Sequence, residues 1–297
     1  MDKLVNLIKQ RIKRIKLNEP MSRYTSFHIG GPAELMVFPQ TEKEILWLQD
    51  IAINNNISYF ILGKGSNLLV RDKGVKGIVI NMRYMNKFYQ EGMDIIAHAG
   101  VSLSKLLSYC VQSGLKGIEF ISGIPGSLGG AIIMNAGTYE GSIGQVIEDI
   151  KVAEGGEIKV LAKDEIGFGY RKSSIIEKNI ILSARLRVSS GDKIEIRESV
   201  DELLNKRKMS QPYTLKSAGS FFKNPSGSIA AKLIDSLGLK GTQIGDAVIS
   251  QKHANFIINK GKAKASEILT LADFVKEKVY SSFNIILTPE VRIIGEE

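Results

Sequence analysis

Short apolar runs separated by glycine dominate the first two-thirds of the chain, up to about Ser190. Three of them are Tyr59–Leu62, Gly77–Ile80 and Ile180–Leu182. Runs of this length that are rich in β-branched and aromatic residues are typical of strands. The pattern therefore predicts a strand-rich part of the chain with glycine turns between the strands.

A helical repeat interrupts these runs between Ser102 and Gly114. Its apolar side chains recur at three- and four-residue spacing, at Leu103, Leu106, Leu107, Cys110 and Val111. Ser102 suits the N-cap of a helix, and Gly114 suits the position after its last turn. Because the pattern puts Cys110 on the buried face, we expect a core residue there and not a nucleophile.

The first residues follow a helical pattern too. Its apolar positions are Leu4, Leu7, Ile8, Ile12 and Ile15. The densest cluster of basic residues lies between Lys9 and Lys16. A basic amphipathic helix can bind a membrane surface, but such helices more often pack their apolar face and leave the charges in solvent. Both interpretations stay open, and the packed helix is favoured.

The composition changes after Gly191. Helical patterns occur at Ile194–Met209, Ser228–Leu237 and Ser266–Tyr280, and strand-like pieces at Ala247–Ile249 and Asn255–Ile258. This mixture predicts a separate α+β unit. The last apolar run, Ile285–Ile294, is also strand-like, and Pro289 in its middle implies an edge strand or a break.

The overall composition is that of a globular enzyme. Of the 297 residues, 43% are hydrophobic and 24% are charged, and no apolar run is long enough to span a membrane. The N-terminus lacks the apolar core of a signal peptide, and one cysteine with three scattered histidines argues against disulfides and metal sites. We expect a cytoplasmic protein without a bound metal.

The formal net charge of +9 favours anionic partners, which include phosphorylated small molecules, nucleic acid and membrane surfaces. The basic residues are spread along the chain, without interleaved aromatic residues or a low-complexity tail. We therefore expect no nucleic-acid partner and no membrane insertion.

Two glycine-rich loops are the first candidates for chemistry. They read Gly63-Lys64-Gly65-Ser66-Asn67 and Ser122-Gly123-Ile124-Pro125-Gly126-Ser127-Leu128-Gly129-Gly130. Glycines let successive backbone N–H groups approach a phosphate closely. Neither loop matches Gly-x-Gly-x-x-Gly, because Leu68 occupies the third glycine position of the first loop. One such loop is usually just a turn. Two in one domain favour a phosphate or pyrophosphate site and a pair of ordinary turns about equally.

A second candidate is the segment Ala218–Pro225, in which Ser220 lies between Gly219 and two phenylalanines. Glycine can adopt backbone angles that other residues avoid, and the paired phenylalanines should pack into a core. We expect a stiff turn that presents the Ser220 hydroxyl, the Lys223 cation and the Asn224 amide to one place.

Two charged residues complete the candidates. Arg171 follows Tyr170 among small polar residues, which suits two-pronged recognition of a carboxylate, although a surface arginine would show the same pattern. Glu290 lies between Pro289 and an apolar run. If Glu290 is buried beside a cation, its protonation could be tuned for acid catalysis.

These motifs resemble, in the same order along the chain, those of the UDP-N-acetylenolpyruvoylglucosamine reductase family, flavoenzymes of peptidoglycan precursor synthesis. The motifs are the two glycine loops, Tyr170–Ser173, Gly219–Pro225 and Pro289–Val291. The resemblance covers nearly the whole chain. It implies an α+β protein with an FAD-binding fold of the vanillyl-alcohol-oxidase/PCMH type, followed by a C-terminal α+β substrate-binding domain.

The resemblance also implies a division of the chain. Residues 1–75, with the N-terminal helix, and 76–192 would form the two FAD-binding subdomains. Residues 193–284 would bind the UDP-sugar, and 285–297 would return as a strand toward the active site. The implied cofactors are FAD and NADPH, and the implied substrate is UDP-N-acetylglucosamine enolpyruvate. Both glycine loops, Gly63 to Asn67 and Ser122 to Gly130, would hold the FAD pyrophosphate.

The resemblance assigns three catalytic roles. Ser220 would donate a proton to the substrate, and Arg171 and Glu290 would stabilise the enolate that forms. The implied substrate contacts are Tyr170, Lys208 and Asn224.

The family has a longer subtype, in which an inserted loop carries a tyrosine that folds over the substrate. Here Arg171 leads through Ile175 and Ile176 directly to the run at Ile180, so the chain resembles the shorter subtype. We expect a monomer. The alternative is another flavin oxidoreductase of the same FAD-binding superfamily. A rival of a different class is a non-catalytic binder of nucleotides or RNA.

Overall fold

The computed structural model describes residues 2–175 and 179–297. Its α-helices are α1 (Asp2–Arg11), α2 (Glu42–Asn54), α3 (Leu103–Ser113), α4 (Leu128–Ile133), α5 (Ile143–Val146), α6 (Lys193–Ser210), α7 (Ala230–Ser236) and α8 (Ala265–Phe283). Its strands are β1 (Ile15–Pro20), β2 (Pro32–Val37), β3 (Tyr59–Leu62), β4 (Leu68–Val70), β5 (Val75–Asn81), β6 (Phe88–Glu91), β7 (Asp94–His98), β8 (Leu115–Lys116), β9 (Ile147–Glu154), β10 (Glu157–Ala162), β11 (Ile180–Arg187), β12 (Ser189–Ser190), β13 (Gln243–Ile244), β14 (Ala247–Ile249), β15 (Ile257–Asn259) and β16 (Arg292–Ile294). No helix in this described part of the chain is both long and apolar enough to cross a membrane.

The chain divides into two compact units, each with its own hydrophobic core. Unit 1 comprises the described residues of Met1–Leu17, Leu35–Lys64 and Gly77–Lys206. It contains an antiparallel five-stranded sheet with the order β10-β9-β11-β7-β6. Its residues also contribute to a four-stranded sheet with the order β1-β2-β5-β3, in which β3 and β5 run parallel.

Helix α3 of unit 1 confirms the helix predicted from the apolar repeat. Ser102 Oγ accepts a hydrogen bond of 3.2 Å from the Lys105 amide, and Gly114 ends the helix with a left-handed φ of 68°. The predicted face is buried, including Cys110. Burial raises the pKa of the Cys110 thiol to about 12, so this cysteine is a core residue as predicted.

Helix α1 is shorter than the N-terminal pattern predicts. It ends at Arg11, and Ile15 begins strand β1. Val5 and Ile8 are buried in the core of unit 1, whereas Leu7 is exposed. The helix is thus packed, as favoured, but placing Leu7 and Ile15 on its apolar face was wrong. Ile15 fits the helical spacing, but it is the first residue of β1, and pairing in the four-stranded sheet determines its conformation.

Unit 2 comprises Asn18–Glu34, Gly65–Lys76 and Arg207–Glu297. It contains an antiparallel three-stranded sheet with the order β13-β14-β15 and a parallel pair formed by β4 and β16. Helices α7 and α8 contribute buried residues to its core. The helices and strands predicted after Gly191 are present, although β15 begins at Ile257, two residues later than predicted.

The last apolar run is a strand only at its end. Strand β16 covers Arg292–Ile294, and Pro289 forms an isolated bridge with Phe222. The predicted strand over 285–291 was wrong, because Pro289 has no amide hydrogen with which to continue a ladder. The predicted break at Pro289 is confirmed.

Candidate active site

In unit 1 the two glycine-rich loops meet side by side. Gly63 follows β3, and Ser127 directly precedes α4. A Cβ atom added to Gly63 would lie 2.3 Å from Ser127 Oγ, so a larger residue there would displace the Ser127 hydroxyl. Gly129 is equally restricted, since its Cβ would lie 2.9 Å from the Ala99 Cβ. Gly63 thus permits the close approach of the two loops, and Gly129 permits the close approach of the second loop to Ala99.

The second loop has hydrogen-bond donors to offer an anion. Gly123 has a φ of 70°, and within the described part of the chain its amide and that of Gly126 donate to no other group. The Ser127 hydroxyl likewise bonds to none of the described residues. The Ser122 hydroxyl, by contrast, donates to the Val200 carbonyl at 2.8 Å. Free amides and a free hydroxyl beside a glycine turn fit a pyrophosphate group.

Arg171 occupies a tight turn in unit 1. The main-chain groups of Gly169 and Lys172 bond to each other in both directions, at 3.0 and 3.3 Å, with Tyr170 and Arg171 between them. Arg171 is half-buried with a left-handed φ of 54°, and its guanidinium lies 5.3 Å from the centroid of the exposed Tyr170 ring. The prediction that no insertion follows this turn involves Ile176, which lies outside the described residues.

An asparagine that the sequence reading missed holds this turn in place. Asn135 Nδ2 donates to the Gly169 carbonyl at 3.0 Å, and Asn135 Oδ1 accepts from the Gly144 amide at 3.0 Å. Ser173 Oγ adds a bond of 3.2 Å to the Ile133 carbonyl at the end of α4. The turn of Arg171 is therefore anchored to the end of the helix that begins at the second glycine loop.

In unit 2 the segment around Ser220 is the stiff turn that the sequence predicts. Gly219 has a φ of 79°. Phe221 and Phe222 are 1% and 2% exposed, and their rings meet edge to face with centroids 5.1 Å apart. Ser220 itself is half-buried at the edge of this core.

Asn255, which the sequence reading also missed, locks the two phenylalanines. Its carbonyl accepts from the Phe221 amide at 2.7 Å. Its side chain accepts from the Phe222 amide at 2.9 Å and donates to the Phe222 carbonyl at 2.8 Å. Because Asn255 is only 4% exposed, these bonds are shielded from water. Asn255 thus binds the Phe221 amide and both the amide and the carbonyl of Phe222.

The structure brings the segments of Ser220 and Glu290 together in unit 2. The Glu290 amide donates to the Phe221 carbonyl at 2.8 Å, and the Lys223 amide donates to the Thr288 carbonyl at 2.9 Å. Glu290 is half-buried. The proton donor and the glutamate implied by the family resemblance thus lie on two hydrogen-bonded neighbouring segments.

The first glycine loop is divided between the units, with Gly65–Asn67 in unit 2. Gly65 has a φ of 61°, and a Cβ there would lie 2.1 Å from the Tyr24 carbonyl oxygen. The Gly65 carbonyl accepts from the Ser26 amide at 3.1 Å, and Ser26 Oγ donates to the Ser217 carbonyl at 2.6 Å. Ser26 therefore links this part of the loop to the chain that leads into Ser220.

The remaining substrate candidates have structural contacts. Asn224 is exposed, and its Oδ1 accepts from the Ala230 amide at the start of α7, at 3.1 Å. Lys208 is exposed in the last turn of α6, and its carbonyl accepts a hydrogen bond from Lys252 Nζ. Their contact with a substrate stays a prediction.

Two family models match the chain. One is described as an FAD binding domain and matches residues 33–156, and the other as the C-terminal domain of UDP-N-acetylenolpyruvoylglucosamine reductase, matching residues 211–294. Proteins named UDP-N-acetylenolpyruvoylglucosamine reductase from Clostridium novyi and Clostridium tetani are each 47% identical over 287 residues, 96% of this chain and 94% of theirs. The chain belongs to the UDP-N-acetylenolpyruvoylglucosamine reductase family.

Solved structures agree with this family. The crystal structure of UDP-N-acetylenolpyruvylglucosamine reductase from Thermus caldophilus matches with a TM-score of 0.83 at 37% identity, over 94% of this chain and 98% of that one. A structure of alkyldihydroxyacetonephosphate synthase matches at 18% identity with a TM-score of 0.50, over 64% of this chain and 40% of that one. The second match shows the fold alone. The predicted FAD-binding fold with a C-terminal reductase-family domain is confirmed.

Proposed function

We infer that this chain is an FAD-dependent reductase of peptidoglycan precursor synthesis. It reduces the enolpyruvyl group of UDP-N-acetylglucosamine enolpyruvate to give UDP-N-acetylmuramate, with NADPH as the proposed electron source. The observation that carries the inference is the bond between the Glu290 amide and the Phe221 carbonyl, since it sets the glutamate segment beside Ser220. Membership of the reductase family supports the same reaction.

The two glycine-rich loops would hold FAD. We assign the pyrophosphate to the amides of Gly123 and Gly126 and the hydroxyl of Ser127, because these groups bond to none of the described residues. The rest of Gly63 to Asn67 and Ser122 to Gly130 would surround it. When bound, FAD supplies the hydride that adds to the terminal methylene carbon of the substrate.

Arg171 and Glu290 are proposed to make the substrate electrophilic. An enol ether accepts hydride poorly unless the charge that develops at the neighbouring carbon spreads into the attached carboxylate. The planar guanidinium of Arg171 can bind both carboxylate oxygens. Glu290 contributes in its protonated form, by donating a hydrogen bond to the same group. An ionised Glu290 would repel the developing charge.

Ser220 is proposed to deliver the proton that completes the reduction. The hydroxyl proton goes to the carbon that bears the negative charge, while the hydride occupies the methylene carbon. A serine is a weak acid, so its proton transfers only after strong carbanion character has developed. The bonds of Asn255 to the main chain of Phe222 and the burial of both phenylalanines support this role, because they fix the chain that follows Ser220.

Further assignments rest on the family resemblance. Tyr170, Lys208 and Asn224 are proposed substrate contacts. The division into residues 1–75 and 76–192 for FAD, 193–284 for the UDP-sugar and 285–297 as the returning strand is proposed likewise. A monomeric state and a cytoplasmic location stay predictions.

The decisive experiment measures NADPH consumption by the FAD-loaded protein. Oxidation should be slow without UDP-N-acetylglucosamine enolpyruvate and should accelerate when that substrate is added, with UDP-N-acetylmuramate as the product by mass spectrometry. NADPH oxidation that consumes oxygen and ignores the substrate would point instead to a flavin oxidase. A refolded protein that never becomes yellow with FAD would contradict both activities.

The role of Ser220 is tested by the variant Ser220→Ala. Removing the proton donor should slow reoxidation of the reduced flavin by the enolpyruvyl substrate by about 10²–10⁴-fold. Reduction of FAD by NADPH should stay nearly unchanged, because that step needs no proton from Ser220. Stopped-flow absorbance of the flavin separates the two half-reactions. An equal loss in both would exclude the proton-donor role.

A further inference from the structure

The side chain of Asn67 is bonded to protein, although its loop is the one predicted to hold the cofactor. Asn67 Nδ2 donates to the Glu290 carbonyl at 3.1 Å. The Asn67 carbonyl accepts from the Arg292 amide at 3.0 Å. The bonds come just before the parallel pairing of β4 with β16, which starts where Leu68 is opposite Arg292. The Asn67 side chain thus adds one hydrogen bond between the two segments, just before that pairing begins.

Glu290 is held through its main chain from two directions. Its amide donates to the Phe221 carbonyl, in the segment of Ser220, at 2.8 Å. Its carbonyl accepts from Asn67, in the glycine loop. Pro289 directly precedes Glu290 and cannot donate a ladder bond, and strand β16 begins only at Arg292. The Asn67 side chain therefore bonds Glu290 before the strand begins.

We propose that Asn67 is a positioning residue for Glu290. The Asn67 carboxamide fixes the peptide group that follows the Glu290 Cα, and so sets where the Glu290 carboxyl group meets the substrate. This rests on the proposed catalytic role of Glu290. The loop that contributes to the FAD site then also orients a catalytic side chain. The Asn67 carbonyl and side chain are thus bonded to protein, and its amide remains available for the cofactor role implied by the family resemblance.

The expected effect is on chemistry and not on cofactor binding. Without the amide donor, the Glu290 carbonyl loses its bond to Asn67, and the peptide group is held less firmly against rotation. Misplacement of a catalytic group by about 1 Å can lower a rate by about 10²-fold. The step that uses Glu290 is hydride transfer to the enolpyruvyl substrate, whereas reduction of FAD by NADPH does not involve it.

The test compares Asn67→Ala, Glu290→Gln and the double variant, each loaded with FAD. Asn67→Ala should slow flavin reoxidation by the substrate by about 10–100-fold. The FAD dissociation constant should stay within about threefold of the parent value, because the substitution leaves the Asn67 amide in place. The rate of reduction by NADPH should change as little, because that step does not use Glu290. In the Glu290→Gln background, Asn67→Ala should add little, because a residue that acts through another has no separate effect.

Asn259→Asp is the matched control. Asn259 lies in the same unit, and its Nδ2 donates to the Phe27 carbonyl at 2.9 Å, in the same kind of side-chain to main-chain bond. This control should lower the free energy of unfolding. It should not slow flavin reoxidation by the substrate more than it slows FAD reduction by NADPH. If folding of Asn67→Ala is impaired, Asn67→Ser provides the same test, because the shorter side chain does not reach the Glu290 carbonyl.

Four outcomes would overturn the proposal. The first is a large loss of FAD affinity, or equal slowing of both half-reactions, in Asn67→Ala, since Asn67 would then serve the cofactor alone. The second is full additivity with Glu290→Gln. If Glu290→Gln itself leaves reoxidation unchanged, the catalytic role of Glu290 fails and the positioning role with it. If Glu290→Gln is slow and Asn67→Ala is not, only the positioning role fails.

Discussion

Asn135 and Arg171 both have left-handed backbone conformations, with φ of 40° and 54°. Asparagine adopts this conformation at little expense because its short polar side chain can bond locally, whereas arginine rarely does. Such a conformation persists only when neighbouring contacts enforce it. At Arg171 these contacts are the two main-chain bonds of its turn and the carboxamide of Asn135.

We therefore expect Asn135→Ala to disturb the backbone conformation of Arg171, although Asn135 is not itself a proposed catalytic residue. The substitution removes the donor to the Gly169 carbonyl and the acceptor for the Gly144 amide. The rate of flavin reoxidation by the enolpyruvyl substrate should fall by about tenfold, and reduction by NADPH should be unaffected. Stopped-flow absorbance again measures both steps.

Asn56→Ala is the control that removes a left-handed asparagine elsewhere in the chain. Asn56 is exposed in the same unit with a left-handed φ of 51°. This variant should lose about 1 kcal/mol of stability and keep both half-reactions. If both asparagine variants changed the kinetics equally, the anchoring role of Asn135 would be wrong.

At the scale of elements, helix α8 begins against a carboxylate from a remote segment. Asp72 accepts from the amides of Ala265 and Ser266 at 2.8 and 3.0 Å. Burial alone would raise the pKa of Asp72, but these two amides, the Ser266 side chain and the charge of Lys264 together hold the pKa below its ordinary value. The first helical amides, which have no partner within the helix, are thus satisfied.

Asp72→Ala should lower the free energy of unfolding by about 1 kcal/mol at neutral pH. Because the pKa is lower in the folded protein, the stabilisation is present above the ordinary aspartate value of about 3.9 and is lost as the pH falls through the folded-state value. Urea unfolding of the variant and the parent should therefore differ at pH 7, and the difference should begin to shrink below about pH 4 and vanish only below the folded-state pKa of Asp72.

Asp273→Ala is the control on the same helix. Among the described residues, the Asp273 side chain pairs only with Lys276, at 2.7 Å, and exposed pairs of this kind contribute little. Its variant should match the parent within about 0.5 kcal/mol at neutral pH. A difference between Asp72→Ala and the parent that stayed constant with pH would contradict a charged capping role.

At the scale of the whole molecule, each unit has its own core, and unit 2 is assembled from three separate stretches of chain. The segments 18–34 and 65–76 join the C-terminal part in unit 2. No local pattern predicts this, because the membership of a unit depends on which distant segments pack together. The α+β character after Gly191 was predicted from local patterns and is present.

FAD should stabilise the molecule as a ligand that binds only the folded state. At a free concentration of about 100 times its dissociation constant, the gain is about 2.7 kcal/mol. For a chain of this size the melting temperature should rise by about 4 °C. Differential scanning fluorimetry at several FAD concentrations measures the rise.

Riboflavin distinguishes the pyrophosphate site from binding of the ring alone. It lacks the phosphates that the glycine loops are proposed to hold, so its stabilising effect at equal concentration should be much smaller. Equal shifts with FAD and riboflavin would show that the loops contribute nothing to binding.

The sequence by itself determined the features that depend on local conformation and residue type. These include helix α3 with its Ser102 and Gly114 ends, the buried Cys110, the glycine loops, and the stiff turn around Ser220. Caps, glycine angles and apolar spacing act over a few residues, so they can be read without knowledge of the fold.

Only the tertiary structure decided which of these features meet. Asn67 reaches Glu290 across 223 residues of sequence, and Asp72 reaches Ala265 across 193. Asn255 looked like the start of a strand, but its carboxamide instead fixes Phe222. A hydrogen bond between distant segments depends on strand pairing and core packing, which local patterns do not encode. For this reason the sequence identified the candidate chemical groups, and the fold decided what positions them.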